Sequence, residues 1–425
     1  MSSFAAGGKG RRPGRAGGGS GGKGAAAQTS SNRPSSKPTA KVSGGPTATS
    51  KPKVDKTARK MGRRQAQLQK MAEKAAREDA DYTGELRKHE KLSQQHGGFI
   101  PRSQKTSEAA LFEKQSAAGI NFDQYDAIKV ELSGKGANTF QPLTSFSADL
   151  EKALPKFLSR NIGLMRYERP TPIQSYALPI ALKRRDLMCC AQTGSGKTCA
   201  FLLPVVLSLS AGPKKKWADH FHGKSCAPAA LILAPTRELA MQIEVECEKL
   251  CNGASGVSSS VVYGGASART QLVYLAKGMD ILVATPGRLQ DFVDRSLVSL
   301  QKIQFLILDE ADRMLDMGFE PQIRKLVQKS GMPGPGARQT MMFSATFSPP
   351  MQKLAAEFLS EYIWIGVGRV GSTVSSITQR LVLANNNKRE KLLLLKDALG
   401  STRAGARTLI FVKKKSSARW VSKQL

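Results

Sequence analysis

The chain has 425 residues, a formal net charge of +32 and hydrophobic side chains at 40% of its positions. No uninterrupted apolar run approaches the roughly 18 residues of a membrane-spanning helix, and the start MSSFAAGGKGRR lacks the apolar region of a secretory signal. All six cysteines lie between residues 189 and 251, which is not the pattern of a disulfide framework. These features exclude secreted and membrane proteins and predict a soluble intracellular one.

Residues 1–95 are predicted to form a disordered basic tail. Residues 1–64 contain fifteen Lys or Arg and one acid, and no aromatic residue lies between Phe4 and Tyr82. Such a segment buries too little apolar surface to offset the entropy of ordering. A helix is expected at 64–92, either solvated or dependent on a partner. The excess charge favours nucleic acid first and an acidic membrane surface second, with a merely solubilising tail as the alternative.

An N-terminal extension is expected at 96–140. After it, the pattern of apolar and polar residues changes. From residue 141 to 367, short apolar runs such as LILAP and FLILDEA alternate with helical patterns. Near-continuous apolar strands separated by helices predict an α/β fold with a parallel sheet covered on both faces. Ligands of such sheets bind beyond the carboxyl ends of the strands.

A linker at 368–376 is expected to lead into a second α/β unit at 377–425. Its predicted strands are ITQRLVLA at 377–384 and RTLIFV at 407–412, with the helix KREKLLLLKDAL between them. One strand-helix-strand unit cannot make a complete doubly wound sheet. We therefore expect this second domain to be incomplete.

The segment AQTGSGKT at 191–198 follows a predicted strand and begins a helix, which is the context of a phosphate-binding loop. Gly194 and Gly196 permit a backbone whose N–H groups face phosphate oxygens, at the positive end of a helix. Lys197 is then expected to reach the outer phosphates of ATP, and the Thr198 hydroxyl to hold Mg²⁺. Ala191 stands where the general pattern has glycine.

Two bare acids, Asp309 and Glu310, end the apolar strand FLIL. Buried carboxylates are costly without a cation, and a carboxylate beside a phosphate loop is the usual second anchor of Mg²⁺. We assign Asp309 to the metal and Glu310 to the water that attacks the γ-phosphate. The alternative is that these acids cap the following helix, and Asp312 is partly assigned to that role.

With these motifs, the chain resembles the DEAD-box RNA helicases, through DEAD at 309–312, PTRELA at 235–240, YGG at 263–265, TPGR at 285–288 and SAT at 344–346. YERPTPIQ at 167–174 is similar to the family's Q motif, and GGFIPR and GINFDQYD are similar to the Ded/Vasa subgroup. The resemblance covers roughly residues 97–412. It implies two RecA-like P-loop NTPase domains that close on Mg-ATP and single-stranded RNA.

The resemblance also implies roles for individual residues. Gln174 would bind the adenine edge, with Tyr167 and Arg169 around the base and Phe146 covering it. The ATP-binding loop would comprise Ala191, Gln192, Thr193, Gly194, Ser195, Gly196, Lys197 and Thr198. The DEAD box itself would be Asp309, Glu310, Ala311 and Asp312, and the element coupling nucleotide state to strand separation would be Ser344, Ala345 and Thr346. The RNA contacts would be Pro235, Thr236, Arg237, Gly264, Gly265, Thr285, Pro286, Gly287 and Arg288.

The resemblance implies an ATP-dependent helicase that remodels mRNA in translation initiation, with initiation factors as partners. It places the protein in the cytoplasm and leaves shuttling to the nucleus open. The family's arginine fingers lie beyond the motifs found here, and KKK at 413–415 departs from the family pattern. A catalytically impaired RNA-binding fragment is therefore the alternative, and a DNA helicase is a third interpretation.

Cysteine and histidine provide weaker candidates. Cys199, one residue after Thr198, is either a reactive thiolate or an inert buried thiol. Cys247 and Cys251 are one helical turn apart and favour core packing over metal binding. His220, His222 and Cys226 lack a fourth ligand for zinc, so a solvated insertion is the preferred interpretation of residues 212–228.

Overall fold

An eight-stranded sheet forms the centre of the molecule in the computed structural model, which describes residues 56–100, 107–113, 128–146, 150, 154–192, 194–254, 256–368, 377–385, 387–403 and 405–425. The strands in chain order are β1 Val130–Ser133, β2 Leu187–Cys190, β3 Phe221–His222, β4 Ser225–Cys226, β5 Ala230–Leu233, β6 Ser259–Val262, β7 Ile281–Ala284, β8 Phe305–Leu308, β9 Gln339–Ser344 and β10 Ile363–Val367. The sheet order is β1-β10-β2-β9-β8-β5-β7-β6, while β3 and β4 pair as a separate hairpin. Only β1 runs antiparallel to its neighbour in the sheet.

Helices cover both faces of this sheet. Their bounds are α1 Lys56–Gln95, α2 Glu108–Glu113, α3 Lys156–Leu164, α4 Pro172–Leu182, α5 Lys197–Ser210, α6 Arg237–Cys251, α7 Ala268–Ala276, α8 Pro286–Asp294, α9 Ala311–Asp316, α10 Glu320–Lys329, α11 Pro349–Phe358, α12 Lys388–Gly400 and α13 Lys415–Gln424. Single 3₁₀ turns lie at Ala137–Thr139 and Trp217–His220. None of the helices in the described ranges is long and apolar enough to cross a membrane.

Two hydrophobic cores, one on each face, explain why β2, β5, β7 and β8 are apolar at every position. Successive side chains of a strand point to opposite faces, so Ile232 packs with α3 to α6 while Leu231 and Leu233 pack with α7 to α11. All four residues of β2, β5, β7 and β8 are buried. The predicted α/β fold class with a covered parallel sheet is confirmed.

Helix α1 begins before the predicted helix at 64–92, and its C-terminal half is part of the core. Tyr82 and Leu86 are buried in one of the two hydrophobic cores, and the Tyr82 hydroxyl donates to the carbonyl of Lys224 at 3.0 Å. The Arg295 guanidinium pairs with Glu78 at 3.1 Å and with Asp79. The expectation of a solvated helix is therefore wrong for the C-terminal half of α1. Two large apolar residues on one face are enough to pack this half against the core. The rest of the predicted disordered tail, residues 1–55, lies outside the described residues.

The insertion at 212–228 is also less solvated than the sequence predicts. His220, Phe221 and Cys226 are buried, and the β3–β4 hairpin places Phe221 opposite Cys226. This burial could not be predicted from the sequence, because the few buried residues are surrounded in the chain by lysines and glycines.

The described residues beyond 376 contain the predicted helix, as α12, but neither predicted strand. Leu383 and Phe411, in the two apolar runs, are 95% and 89% exposed. A strand requires a neighbour to satisfy its backbone N–H and C=O groups, and no strand of the described sheet lies beside these runs. Of the predicted linker at 368–376, residues 369–376 lie outside the described residues.

Candidate active site

The carboxyl ends of the parallel strands bring the predicted site residues to one edge of the sheet. The strands β2, β9 and β8 are neighbours, and they lead into the phosphate loop, the SAT segment and the DEAD segment. The next strands, β5, β7 and β6, lead into residues 235–237, 285–288 and 264–265. The sheet order therefore separates the predicted ATP residues from the predicted RNA residues along a single edge.

The phosphate loop has the backbone that its glycines predict. Gly194 and Gly196 have φ of +79° and +87°, a region that side chains disfavour. A Cβ on Gly196 would lie 2.6 Å from Nε2 of Gln174. Lys197 is 7% exposed, and its ammonium donates to the carbonyl of Ala191 at 2.9 Å. This loop is therefore a preformed concave backbone beside a buried cation.

The remaining loop residues differ in their exposure. Ala191 and Ser195 are buried, Gln192 is exposed, and the Ser195 hydroxyl donates to the carbonyl of Gln192 at 2.8 Å. Thr198 is half-buried in the first turn of α5. Thr193, also predicted to bind ATP, lies outside the described residues.

Gln174 connects the Q motif to the phosphate loop. Its Oε1 accepts from the N–H of Thr171 at 2.9 Å, and its Nε2 donates to the carbonyl of Gly196 at 3.0 Å. The Thr171 hydroxyl donates to the carbonyl of Ser195 at 2.7 Å. An amide has two donor hydrogens and two acceptor lone pairs, so Gln174 keeps one of each beyond these bonds. The adenine contact stays a prediction, while the link to the loop is visible.

Phe146 and Tyr167, which the resemblance places around the adenine, lie against each other. Their ring centroids are 5.9 Å apart with an interplanar angle of 22°, a stacked pair. Phe146 is 2% exposed and Tyr167 is half-buried. Arg169 is exposed two residues further on. Each ring of the pair therefore has one face turned to the other, and the contact of these rings with adenine stays a prediction.

Asp309 is a buried carboxylate at the end of β8. It is 3% exposed, and its Oδ1 accepts from the N–H of Glu310 at 3.0 Å. Burial raises the pKa of Asp309 from 3.8 to about 6, and the nearby positive charge of Lys197 opposes that shift. The folded protein thus holds an acid whose charge is only partly compensated by its surroundings.

Glu310 occupies the left-handed region, with φ of +49°. Its Oε2 accepts from the Arg313 guanidinium at 2.9 Å, and its side chain does not hydrogen-bond to cap α9. Non-glycine residues in this region are uncommon and cluster at functional sites. The capping alternative for Glu310 is therefore not what the geometry favours.

Asp312 joins the DEAD segment to the SAT segment. Its Oδ2 accepts from the N–H groups of Ala345 and Thr346, at 3.1 and 3.0 Å, and from the Thr346 hydroxyl at 3.1 Å. Its Oδ1 also accepts from the N–H of Arg313 at 3.0 Å. Ser344, the buried last residue of β9, accepts from the N–H of Thr346 at 3.1 Å. Glu310, not Asp312, is the N-cap residue of α9, so the partial capping role stays a prediction. The visible role of Asp312 is to fix residues 345 and 346 beside α9, whose first residue, Ala311, is buried.

The predicted RNA residues form a second group of loops. The Gly264 N–H donates to the Thr285 hydroxyl at 3.3 Å, which connects the loops after β6 and β7. The Arg237 guanidinium lies 5.1 Å from the ring centroid of Tyr263, and Arg288 donates to the carbonyl of Ala266 at 3.1 Å. Exposed Gly265 and Gly287, half-buried Arg288 and buried Pro235 and Pro286 complete the group, and Thr236 caps α6 by accepting from the N–H of Leu239. Small residues and two arginines at one edge suit close approach of a phosphate backbone.

The weaker candidates do not form sites. No group of three or more His, Cys, Asp or Glu in the described ranges is placed to hold a metal ion, and His220 instead lies 3.7 Å from Asp280. Burial raises the pKa of the Cys199 and Cys247 thiols, which favours the inert interpretation of both. Cys251 is half-buried at the end of α6.

Two residues with visible roles were not singled out from the sequence. Thr171 holds the phosphate loop, and its spacing from Gln174 is the capping-box pattern, a signal present in TPIQ. Arg313 pairs with Glu310 three residues away, an i, i+3 pairing that the sequence also contains.

The donor set fits Mg-ATP. The phosphate loop supplies N–H groups and a lysine ammonium, and the first turn of α5 supplies the Thr198 hydroxyl. Asp309 supplies a buried carboxylate two strands away, near enough for the charge of Lys197 to lower its pKa. Carboxylate and hydroxyl oxygens are the ligands that Mg²⁺ takes in such sites. A parallel sheet with this loop and this acidic strand end defines a P-loop nucleoside triphosphatase.

Comparison with known proteins identifies the family within the P-loop nucleoside triphosphatases. The sequence model of the DEAD/DEAH box helicase family matches residues 171–354. The crystal structure of the yeast DEAD-box splicing factor Prp28 is 31% identical, covers 74% of this chain and 70% of its own, and superposes with a TM-score of 0.54. The chain therefore belongs to the DEAD/DEAH box helicase family, a family of ATP-dependent enzymes that remodel RNA.

Two further solved structures are similar. The RNA helicase Prp28 from Chaetomium thermophilum, bound to ADP, is 34% identical, with 76% of this chain and 72% of that chain covered and a TM-score of 0.48. A DEAD box protein from the hyperthermophile Methanococcus jannaschii is 27% identical, with 67% and 70% covered and a TM-score of 0.46.

Proposed function

We propose that this protein uses Mg-ATP to unwind or remodel RNA, with the residues assigned above. The supporting observation is the sheet edge, which places the predicted ATP loops after β2, β9 and β8 next to the predicted RNA loops after β5, β7 and β6. Within the ATP half, Asp312 accepts from the N–H groups of Ala345 and Thr346 and so joins the DEAD segment to the SAT segment. An ATP half and an RNA half on one sheet are what a nucleotide-driven RNA enzyme requires.

In this proposal, Lys197 and the loop N–H groups bind the phosphates, and Thr198 and Asp309 hold the metal. When bound, Mg-ATP supplies the phosphoanhydride whose hydrolysis drives the cycle. Glu310 orients the attacking water and accepts its proton at a carboxylate oxygen. Gln174 holds the loop and presents its remaining donor and acceptor to the base. Arg237 and Arg288 bind the RNA backbone with charge-assisted hydrogen bonds.

RNA-stimulated ATP hydrolysis tests the proposal. The native chain is expected to hydrolyse ATP faster when single-stranded RNA is added. Glu310→Gln is expected to keep ATP affinity and lose turnover, and Lys197→Ala is expected to lose both. Lys183→Gln, an exposed lysine at the end of α4, is the matched control. RNA binding without any ATPase would favour the alternative, a catalytically impaired RNA-binding protein, and preference for DNA would favour a DNA helicase.

We further propose mRNA as the substrate, translation initiation factors as partners, and the cytoplasm as the location, with shuttling to the nucleus left open. The support is the similarity of GGFIPR and GINFDQYD to the Ded/Vasa subgroup. The likeness to a splicing factor supports a competing assignment to nuclear pre-mRNA. Cross-linking in cells followed by RNA sequencing separates them, because reads in 5′ untranslated regions favour the first and intronic or small nuclear RNA reads favour the second.

A further inference from the structure

A cavity of about 940 Å³ lies at the opposite end of the strands from the candidate active site. Its wall includes Ser258, Ser259 and Ser260, at the start of the edge strand β6, and Met279, just before β7. The other walls are the ends of α6 and α7, the loop before Trp217, the segment that follows α1 and one residue of α2. No residue predicted to bind ATP or RNA lines this cavity.

The cavity wall is fixed by buried polar contacts. Asp280 is 2% exposed, and it accepts from Lys215 at 2.9 Å and from the N–H of Ser258 at 3.1 Å. Gly278 has φ of +74°, and a Cβ there would lie 2.7 Å from the side chain of His220. These contacts bind three chain segments to one another, so the cavity belongs to the folded domain.

Two lysines at the cavity make cation–π contacts with aromatic rings. Lys214 Nζ lies 4.8 Å from the ring centroid of Phe99, and Lys277 Nζ lies 5.2 Å from that of Tyr274. Neither ammonium is within ion-pair distance of a carboxylate on any residue that the structure describes. Of the charged residues that line the cavity, three are lysines (Lys214, Lys215 and Lys277) and one is an acid, Glu248. Lys215 pairs with Asp280 behind the wall. The cavity is therefore positive and partly aromatic.

The strand beside the cavity has an open edge. β6 is the last strand of the sheet and pairs only with β7 in the described part of the chain. The carbonyls of Ser258 and Val262 accept from residues on the β7 side. Because alternate residues of a strand direct their backbone groups to opposite sides, the N–H and C=O of Ser259 and Val261 face outward. Such an edge is a template for another extended chain.

We propose that β6 and this cavity bind an extended acidic polypeptide segment of a partner protein. The segment adds a strand beside Ser259–Val261, its acidic side chains meet Lys214 and Lys277, and an apolar side chain enters the cavity among the rings. An open strand edge presents carbonyls as well as N–H groups. A phosphate backbone accepts but does not donate, so a peptide complements this edge better than RNA does.

Fluorescence anisotropy of a labelled eight-residue peptide of alternating glutamate and valine tests the charge requirement. The double variant Lys214→Gln, Lys277→Gln is expected to weaken binding roughly 2- to 30-fold, the range for two partly exposed ion pairs. The matched control is Lys329→Gln, Lys353→Gln, which removes the same charge from exposed lysines of α10 and α11. If both double variants weaken binding equally, the peptide is attracted only by the net charge of the protein, and the proposal is overturned. Unchanged ATP affinity reports that each variant is folded.

Hydrogen exchange of the native chain tests the added strand independently of any variant. The peptide is expected to slow exchange of the Ser259 and Val261 amides, since these donate outward, and to leave the phosphate loop unchanged. Oligouridylate of the same charge is the comparison. Exchange that stays fast with peptide, or that oligouridylate slows as strongly, overturns the proposal. Both readouts are separate from RNA-stimulated ATPase, so failure here leaves the proposed function standing.

Discussion

Replacing Asp309 by asparagine is expected to stabilise the fold while it removes activity. Asparagine has the shape of the protonated acid and can still accept from the N–H of Glu310. Burial raises the pKa of this carboxyl from 3.8 to about 6, a shift of about 2 pH units. At 1.36 kcal/mol per unit, the ionised form costs the folded state about 3 kcal/mol at neutral pH.

The sign of the pH dependence follows from the same shift. Between pH 3.8 and about 6, the folded state binds the proton that the unfolded state has lost, so the free energy of unfolding falls as pH rises through this window. The asparagine variant has no such proton. Its advantage over the native chain is therefore absent below the window, grows through it, and is complete above it.

Urea unfolding of both proteins at pH 4 and pH 7.5 measures this difference, with RNA-stimulated ATPase as the functional assay. The expected result is a small difference in stability at pH 4, a clearly more stable variant at pH 7.5 and no turnover. Glu310→Gln is the control, because that carboxylate is more exposed and pairs with Arg313. A variant that is no more stable at pH 7.5, or whose advantage is the same at both pH values, would refute the argument that burial governs Asp309.

Three further predictions concern other contacts. Gly196→Ala is expected to lose ATP affinity in a nucleotide titration and about 1–3 kcal/mol of stability, because its Cβ would strike Gln174 at a φ that alanine disfavours. Asp312→Asn is expected to keep ATP binding but lose most RNA stimulation of ATPase, because it weakens the charge-assisted bonds to Thr346 and its neighbour. Arg295→Ala is expected to speed hydrogen exchange of α1 from residue 78 onward, since it removes the ion pairs that hold that helix.

Each of these variants has a control in the same part of the chain. Gly163→Ala, in α3, meets nothing within 4 Å, and ATP affinity should not change. Asp316→Asn removes an exposed carboxylate from the same helix as Asp312 and should leave RNA stimulation intact. Arg295→Lys keeps the charge but not the fork of donors, and its exchange rates should fall between those of the native chain and the alanine variant.

Much of the central domain could be predicted from the sequence, because its signals are local. Most strands of the parallel sheet are short apolar runs, and such a run can be recognised in the sequence without knowing which strands pair with it. The phosphate loop is likewise defined by neighbouring residues, and Gly194 and Gly196 adopt the positive φ that their spacing predicts. The cost of burying charge, together with the phosphate loop found elsewhere in the sequence, is enough to assign the acids after β8 to a cation.

Only the tertiary structure decided which of these segments meet. The order β2-β9-β8-β5-β7-β6 depends on pairings between distant residues, which no local pattern specifies, and it places the SAT segment between the phosphate loop and Asp309. The docking of α1 through Tyr82, the burial of the β3–β4 hairpin and the bonds from Asp312 to residue 346 also join positions far apart in the chain. The raised pKa of Asp309 belongs to this group, because a carboxyl's affinity for a proton is set by how much water the whole fold removes from it.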